Sequence, residues 1–151
     1  MSQCPRAGVS RPCPVSLLHA RAYAHATEDP ERVLRALENV VRGHYTVRDV
    51  RGHYGNVIRI IEVRAADCEA LEALKSIVSR LDDLEFQLLL LGAEGSRLYV
   101  RFDKQHAYRG ALRVSGGDDV IHVEVHCRST AGGARSFLAR LREELKGAGG
   151  Q

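Results

Sequence analysis

Three stretches of the chain alternate apolar and polar residues with period two, and each is apolar on one side only. From Val15 to His25 the positions Leu18, Ala20, Ala22 and Ala24 are apolar, while His19, Arg21, Tyr23 and His25 stand between them. Leu98, Val100 and Phe102 alternate with Tyr99, Arg101 and Asp103 in a run that ends at Lys104. Between Val120 and Cys127, the residues Ile121, Val123, Val125 and Cys127 alternate with His122, Glu124 and His126. Successive side chains of a strand point to opposite sides, so each stretch reads as a strand with one dry face and one wet face. Strands of that kind need helices on a single face of their sheet.

The helices are legible too. Asp29-Pro30 reads as an N-cap with proline at the first helical position. Val33, Leu34, Leu37, Val40 and Val41 follow as an apolar stripe, with Gly43 as the expected C-cap. Residues 67–81 carry Leu71, Leu74, Val78 and Leu81 on one helical face. Residues 82–91 predict a further short helix, and Phe137, Leu138, Leu141 and Leu145 a last amphipathic one. Between the first two helices, 45–51 and 57–64 are strand-like and Gly52-His53-Tyr54-Gly55-Asn56 separates them, which predicts a hairpin. The order strand, helix, hairpin, helices, strands, helix predicts an α+β two-layer sandwich. Its sheet is mostly antiparallel or mixed, helices pack on one face, and the other face is open. Residues 15–146 are expected to form a single domain, with flexible tails at 1–14 and 147–151.

Composition narrows the chemistry. Apolar residues make up 44% of 151 and charged residues 27%, as in an ordinary globular chain. The formal net charge of +3 is compatible with a polyanionic partner. Its distribution is more telling: Arg97, Arg101, Lys104, Arg109 and Arg113 face one acid, Asp103, with Tyr99, His106 and Tyr108 interleaved. No stretch reaches the roughly 20 apolar residues of a membrane span, and no secretory h-region is visible at the start, so no membrane role is expected. Cys4, Cys13, Cys68 and Cys127 contain no Cys-x-x-Cys pair. Cys68 and Cys127 read as small buried hydrophobes, Cys4 and Cys13 lie in the expected tail, and a reducing cytoplasmic setting is the simplest expectation. His122, Glu124 and His126 share a strand face, and His25 is placed to approach them. Same-face neighbours lie about 7 Å apart along a strand, which suits chelation poorly. There is no Gly-x-Ser-x-Gly elbow, no phosphate-binding loop and no marked carboxylate pair. The expectation is a non-enzymatic protein without cofactor or metal.

Two readings of the open face remain side by side. Aromatic rings and cations on a bare sheet suit unpaired bases and phosphates. The same alternation describes any solvated sheet face, and an exposed edge also suits a protein–protein adaptor or a homodimer without RNA contact.

Three phrases then carry a resemblance: His25-Ala26-Thr27-Glu28-Asp29 before the first helix, Gly52-His53-Tyr54-Gly55-Asn56 in the hairpin, and Leu98-Tyr99-Val100-Arg101-Phe102-Asp103-Lys104-Gln105. In that order and spacing, over residues 15–127, the chain resembles the archaeal RNA-binding family described as predicted exosome subunits. The resemblance implies a fold like that of the large-subunit ribosomal protein that binds 5S rRNA. It also implies a role in binding RNA, single-stranded or structured, near the exosome, an RNA-degrading complex. The positions that match are His25, Thr27, His53, Gly55, Asn56, Arg101, Lys104 and Gln105, with Tyr108 just beyond. On that basis Arg101 and Lys104 are expected to neutralise phosphates, and Tyr54, Tyr99 and Tyr108 to stack on bases. Asn56 and Gln105 are expected to read base edges or the 2′-hydroxyl, and His25 and His53 to donate hydrogen bonds. Thr27, Glu28 and Asp29 also stand at a helix start, where acids complement the dipole and would repel phosphate.

Overall fold

The structure, a computed structural model, describes residues 12–52 and 54–149. Strand β1 (Val15–Ala24) leads to helix α1 (Pro30–Val40). The hairpin β2 (Tyr45–Arg51) and β3 (Val57–Ala66) follows, then α2 (Asp67–Ser79) and α3 (Asp83–Leu90). A two-residue β4 (Ala93–Glu94) precedes β5 (Arg97–Asp103), α4 (Lys104–Tyr108), β6 (Val120–Cys127) and α5 (Ala134–Gly149). The sheet order is β2-β3-β1-β6-β5-β4 and every pairing is antiparallel, with none of the parallel pairs of a mixed sheet. The architecture is the two-layer α+β sandwich that one-sided alternation demands.

The central strand β1 shows why the layers fit. Leu18, Ala20 and Ala22 are fully buried, and the small alanines let α1 and α2 come close to the sheet. Phe102, Ile121, Val125 and Ile61 fill the same side from the neighbouring strands and meet Leu37, Leu74, Ile77 and Leu138 from the helices. Asp29 caps α1 as expected, its carboxylate accepting from the Glu31 amide at 3.0 Å with Pro30 behind it.

Several expectations need correcting. Gly43 is not the C-cap of α1; Val41 is, in extended backbone. A Cβ at Gly43 would lie 2.7 Å from Val63 Cγ2, so the glycine serves a close approach to β3. Lys104 does not end a strand but opens α4, with Asp103 as its cap. Cys68 is not a buried hydrophobe: it is exposed and disulfide-bonded to Cys13, with 5.3 Å between the Cα atoms. Cys13 and Pro14 also meet the residue that follows β6. The Arg128 amide donates to Pro14 O at 2.8 Å, and Arg128 Nε donates to Cys13 O at 3.0 Å. At the other end α5 continues to Gly149. Cys127 is buried, as expected. Cys4, the tail residues 1–11 and His53 lie outside the described residues. Among the described residues no helix is long and apolar enough to cross a membrane.

Candidate functional site

The register fixes which side chains share the uncovered face. Arg21 on β1 stands opposite His122 on β6, and His122 stands opposite Arg101 on β5. These three form one row across three adjacent strands. One step along the strands lies a second row, Arg64, His19, Glu124 and Tyr99; one step the other way, Tyr23 sits beside Ile60 and Arg48. The alternation therefore placed His19, Arg21, Tyr23, Tyr99, Arg101, His122 and His126 together correctly.

What alternation could not show is which charges cancel. Glu62 faces Arg21 in register, but its carboxylate is taken by His19 Nε2 at 2.8 Å and by Arg48 Nε at 3.4 Å. Those two hydrogen bonds, the His19 one foremost, hold the Glu62 carboxyl below its ordinary range. Glu124 is likewise held low by His126 at 2.6 Å, with Arg97 at 3.9 Å. Among the described residues neither Arg21 nor Arg101 has an ion-pair partner; Arg21 Nε donates only to the Tyr23 hydroxyl, at 3.1 Å. His122 lies between these two guanidiniums. Burial, then the charges of Arg21 and Arg101, push its imidazole below the ordinary histidine range. The result is two unneutralised cations flanking a neutral donor-acceptor ring, with Tyr23 edge-on to that ring at 5.8 Å. Such a row accepts an anion and offers it charge-assisted hydrogen bonds.

The expected site residues separate into three places. Tyr99 and Arg101 lie on the open face, Tyr99 being 46% exposed. Tyr54 and Asn56 are exposed at the hairpin tip, where the Gly52 amide donates to Asn56 O at 2.6 Å. His25, Thr27, Lys104, Gln105 and Tyr108 belong to the turn after β1 and to α4, which packs against α1. There Asn39 Nδ2 donates to Ala107 O at 2.8 Å. Thr27 is exposed in a turn closed by the Glu28 amide on His25 O, and the cap of α1 is Asp29.

Three of the assigned residues are engaged by the protein's own side chains. Lys104 is only 4% exposed; its ammonium donates to Tyr23 O at 2.9 Å and to Glu28 Oε2 at 3.0 Å, and it pairs with Asp119 at 2.9 Å. Its charge is already matched by two carboxylates, which disfavours a phosphate contact. Burial pushes the Asp119 carboxyl up, but hydrogen bonds from Lys104 and Gln105 and the charges of Lys104 and His25 outweigh that and hold it low. Gln105 Nε2 is the second of those donors, at 2.9 Å, and its amide is engaged there rather than with a base. One side of the Tyr108 ring is covered by the Arg32 guanidinium, 4.5 Å from its centroid. In the basic segment, Arg113 leans on the buried Glu85 at 3.8 Å. No group of three or more His, Cys, Asp or Glu residues suited to a metal occurs among the described residues.

The residues missing from the expected set are Arg21, Tyr23 and His122. Their signal was present in the alternation of β1 and β6; what was absent was the register that sets them beside Arg101 and the pairing that engages Glu62 and Glu124 elsewhere.

Known proteins are similar to this chain in sequence and fold. A family model described as RNA binding matches residues 18–127, from β1 through β6. An RNA-binding protein of Pyrococcus abyssi is 33% identical over 146 residues, covering 86% of this chain and 93% of that one. An uncharacterised protein of Methanocaldococcus jannaschii is 38% identical over 113 residues, covering 66% of this chain and 76% of that one. A crystal structure of a Sulfolobus solfataricus protein superposes with a TM-score of 0.67 at 28% identity, over 87% of this chain and 96% of that one. By the extent of the model match and the identity to the Pyrococcus protein, the chain belongs to this RNA-binding family.

Proposed function

We propose that this protein binds RNA without catalysis, through the bare face of its sheet. The single observation that carries the reading is the Arg21–His122–Arg101 row, in which neither arginine has a carboxylate partner among the described residues. Phosphate contacts of this kind position a nucleic acid, and nearby rings engage its bases. The carboxylates beside the row are ionised and engaged by His19, Arg48, His126 and Arg97, which suits a scaffold better than a general acid or base. The hairpin tip with Tyr54 and Asn56 extends the contact beyond the row.

The finer assignment is an accessory subunit of RNA processing, associated with the exosome and cytoplasmic, on a scaffold akin to the ribosomal protein that binds 5S rRNA. Its support is the family resemblance. A homodimer or adaptor is the second reading, and one observation favours it: β2 is an uncovered edge strand with Val47 exposed on it, a shape open to strand pairing.

Photo-crosslinking of RNA to the folded protein, followed by peptide mapping, tests the main reading. Attachment is expected in peptides from β1, β5 and β6. Attachment confined to α2 and α5 on the opposite layer would overturn it.

A further inference from the structure

Two tyrosines on the open face carry the same local device. Arg21 Nε donates to the Tyr23 hydroxyl at 3.1 Å, and Arg97 Nη1 donates to the Tyr99 hydroxyl at 3.4 Å. In each case the arginine stands two residues earlier on the same strand, one same-face step of about 7 Å. A phenol that reaches back over that distance leans along its strand and lies over the sheet. Each ring is thereby held before any ligand arrives, which lowers the ordering cost of stacking on it. Tyr23 meets His122 at an interplanar angle of 75°, so the pair is not stacked face to face. Ile60, opposite Tyr23 on β3, widens the apolar floor beside it.

The two rings flank the cationic row on opposite sides. Tyr99 is one step before Arg101 on β5, and Tyr23 is one step beyond Arg21 on β1, two strands away. With strands about 4.8 Å apart and same-face steps of about 7 Å, the Cα positions of the two tyrosines lie on a diagonal of about 17 Å. Arg101, His122 and Arg21 cross that diagonal at its middle.

Resting on the RNA reading above, we propose that this face takes single-stranded RNA, laid along the diagonal from Tyr99 to Tyr23. One base stacks on each ring, and the intervening phosphates sit on Arg101, His122 and Arg21. A duplex does not match this layout: its bases are stacked inside the helix, beyond the reach of rings that lie on a sheet. An unpaired strand presents both its π-faces and its phosphates, and its footprint here falls at the short end of the about 4–16 nucleotides typical of stacking platforms.

The test is fluorescence anisotropy with labelled oligouridylates of increasing length and with a blunt RNA duplex of matched length. Affinity for the single strand is expected to climb with length until both rings are reached and then to level off. Tyr23→Leu and Tyr99→Leu, which keep an apolar body but remove the ring, should each weaken single-strand binding about 5- to 150-fold. Tyr99→Phe keeps the ring without the tether and should lose less than Tyr99→Leu. Circular dichroism on each variant separates loss of stacking from loss of fold. If the duplex binds as tightly as the single strand and Arg21→Ala with Arg101→Ala weakens it, the RNA reading stands and the diagonal path falls. If the folded leucine variants bind like the parent, the path falls as well. If neither RNA form binds, both proposals fall.

Discussion

Removing Arg101 has a consequence that can be worked from the row itself. Near pH 7.5 burial, Arg21 and Arg101 together keep His122 below the ordinary histidine range, so the row carries two positive charges. Each single-strand phosphate neutralised contributes about −0.7 to the slope of log K against log salt, so Arg21 and Arg101 contribute about −1.4 between them. Raising salt fourfold then costs about sevenfold in affinity from this row alone. Arg101→Ala should flatten the slope by about 0.7, Arg21→Ala by the same amount, and the double variant by about 1.4. Arg101→Lys keeps the charge and hence the slope, but loses the planar fork and some affinity at every salt concentration. Lowering the pH adds a third charge once His122 protonates, so the parent slope should steepen toward about −2.1 and that of His122→Ala should steepen less. Anisotropy titrations at several salt concentrations, at neutral and at mildly acid pH, give all of these numbers. Unchanged slopes in both alanine variants would refute the assignment of phosphates to the row.

Other perturbations probe the frame around the face. Lys104→Met strands Glu28, Asp119 and Tyr23 O; because those carboxylates are partly wet, the cost should be about 2–3 kcal/mol, below that of a fully buried pair, with the salt slope unaltered. Urea titration checks the first part, and a flattened slope in a folded Lys104→Met would restore Lys104 as a phosphate ligand. The Cys13–Cys68 bond closes a loop with a sequence separation of 55. On the chain-entropy account it stabilises by about 4 kcal/mol, so reductant or Cys13→Ser should lower Tm by about 8–16 °C. A Tm insensitive to reductant counts against that account. Gly92→Ala would set a Cβ 1.8 Å from the Tyr99 carbonyl oxygen, a clash with backbone that no rotamer relieves. It should cost about 1–3 kcal/mol and disturb Tyr99 with it; a parental melting curve would show that the segment between α3 and β4 yields more easily than this.

The fold was legible because its largest constraint is local. Period two in 15–25, 98–104 and 120–127 decided that one face of the sheet is dry, and β6 emerged with the expected ends. α4 was invisible because five residues, Lys104 to Tyr108, are too few to show an apolar stripe, and only the capping hydrogen bond from the His106 amide to Asp103 marks the switch to helix. The Cys13–Cys68 pairing depends on a long-range closure that spacing does not encode.

Site residues were harder for a related reason: a sequence shows charges but not their partners. Lys104 and Arg101 look equivalent in the sequence, three residues apart in one basic segment. The register sends Arg101 to the open face opposite His122, while the start of α4 turns Lys104 inward onto Glu28 and Asp119. Of the five cations between Arg97 and Arg113, three face carboxylates: Arg97 on Glu124, Lys104 on Glu28 and Asp119, and Arg113 on Glu85. A net count of basic residues therefore overstates what that segment offers a phosphate and misses Arg21, which lies far away in sequence. Arg101 and Arg21 are brought into one row by antiparallel pairing of β1 with β6 and of β6 with β5. A one-residue slip in either pairing would turn one of them toward the core face and abolish the row. Strand register, more than basic composition, is thus what makes this face a site.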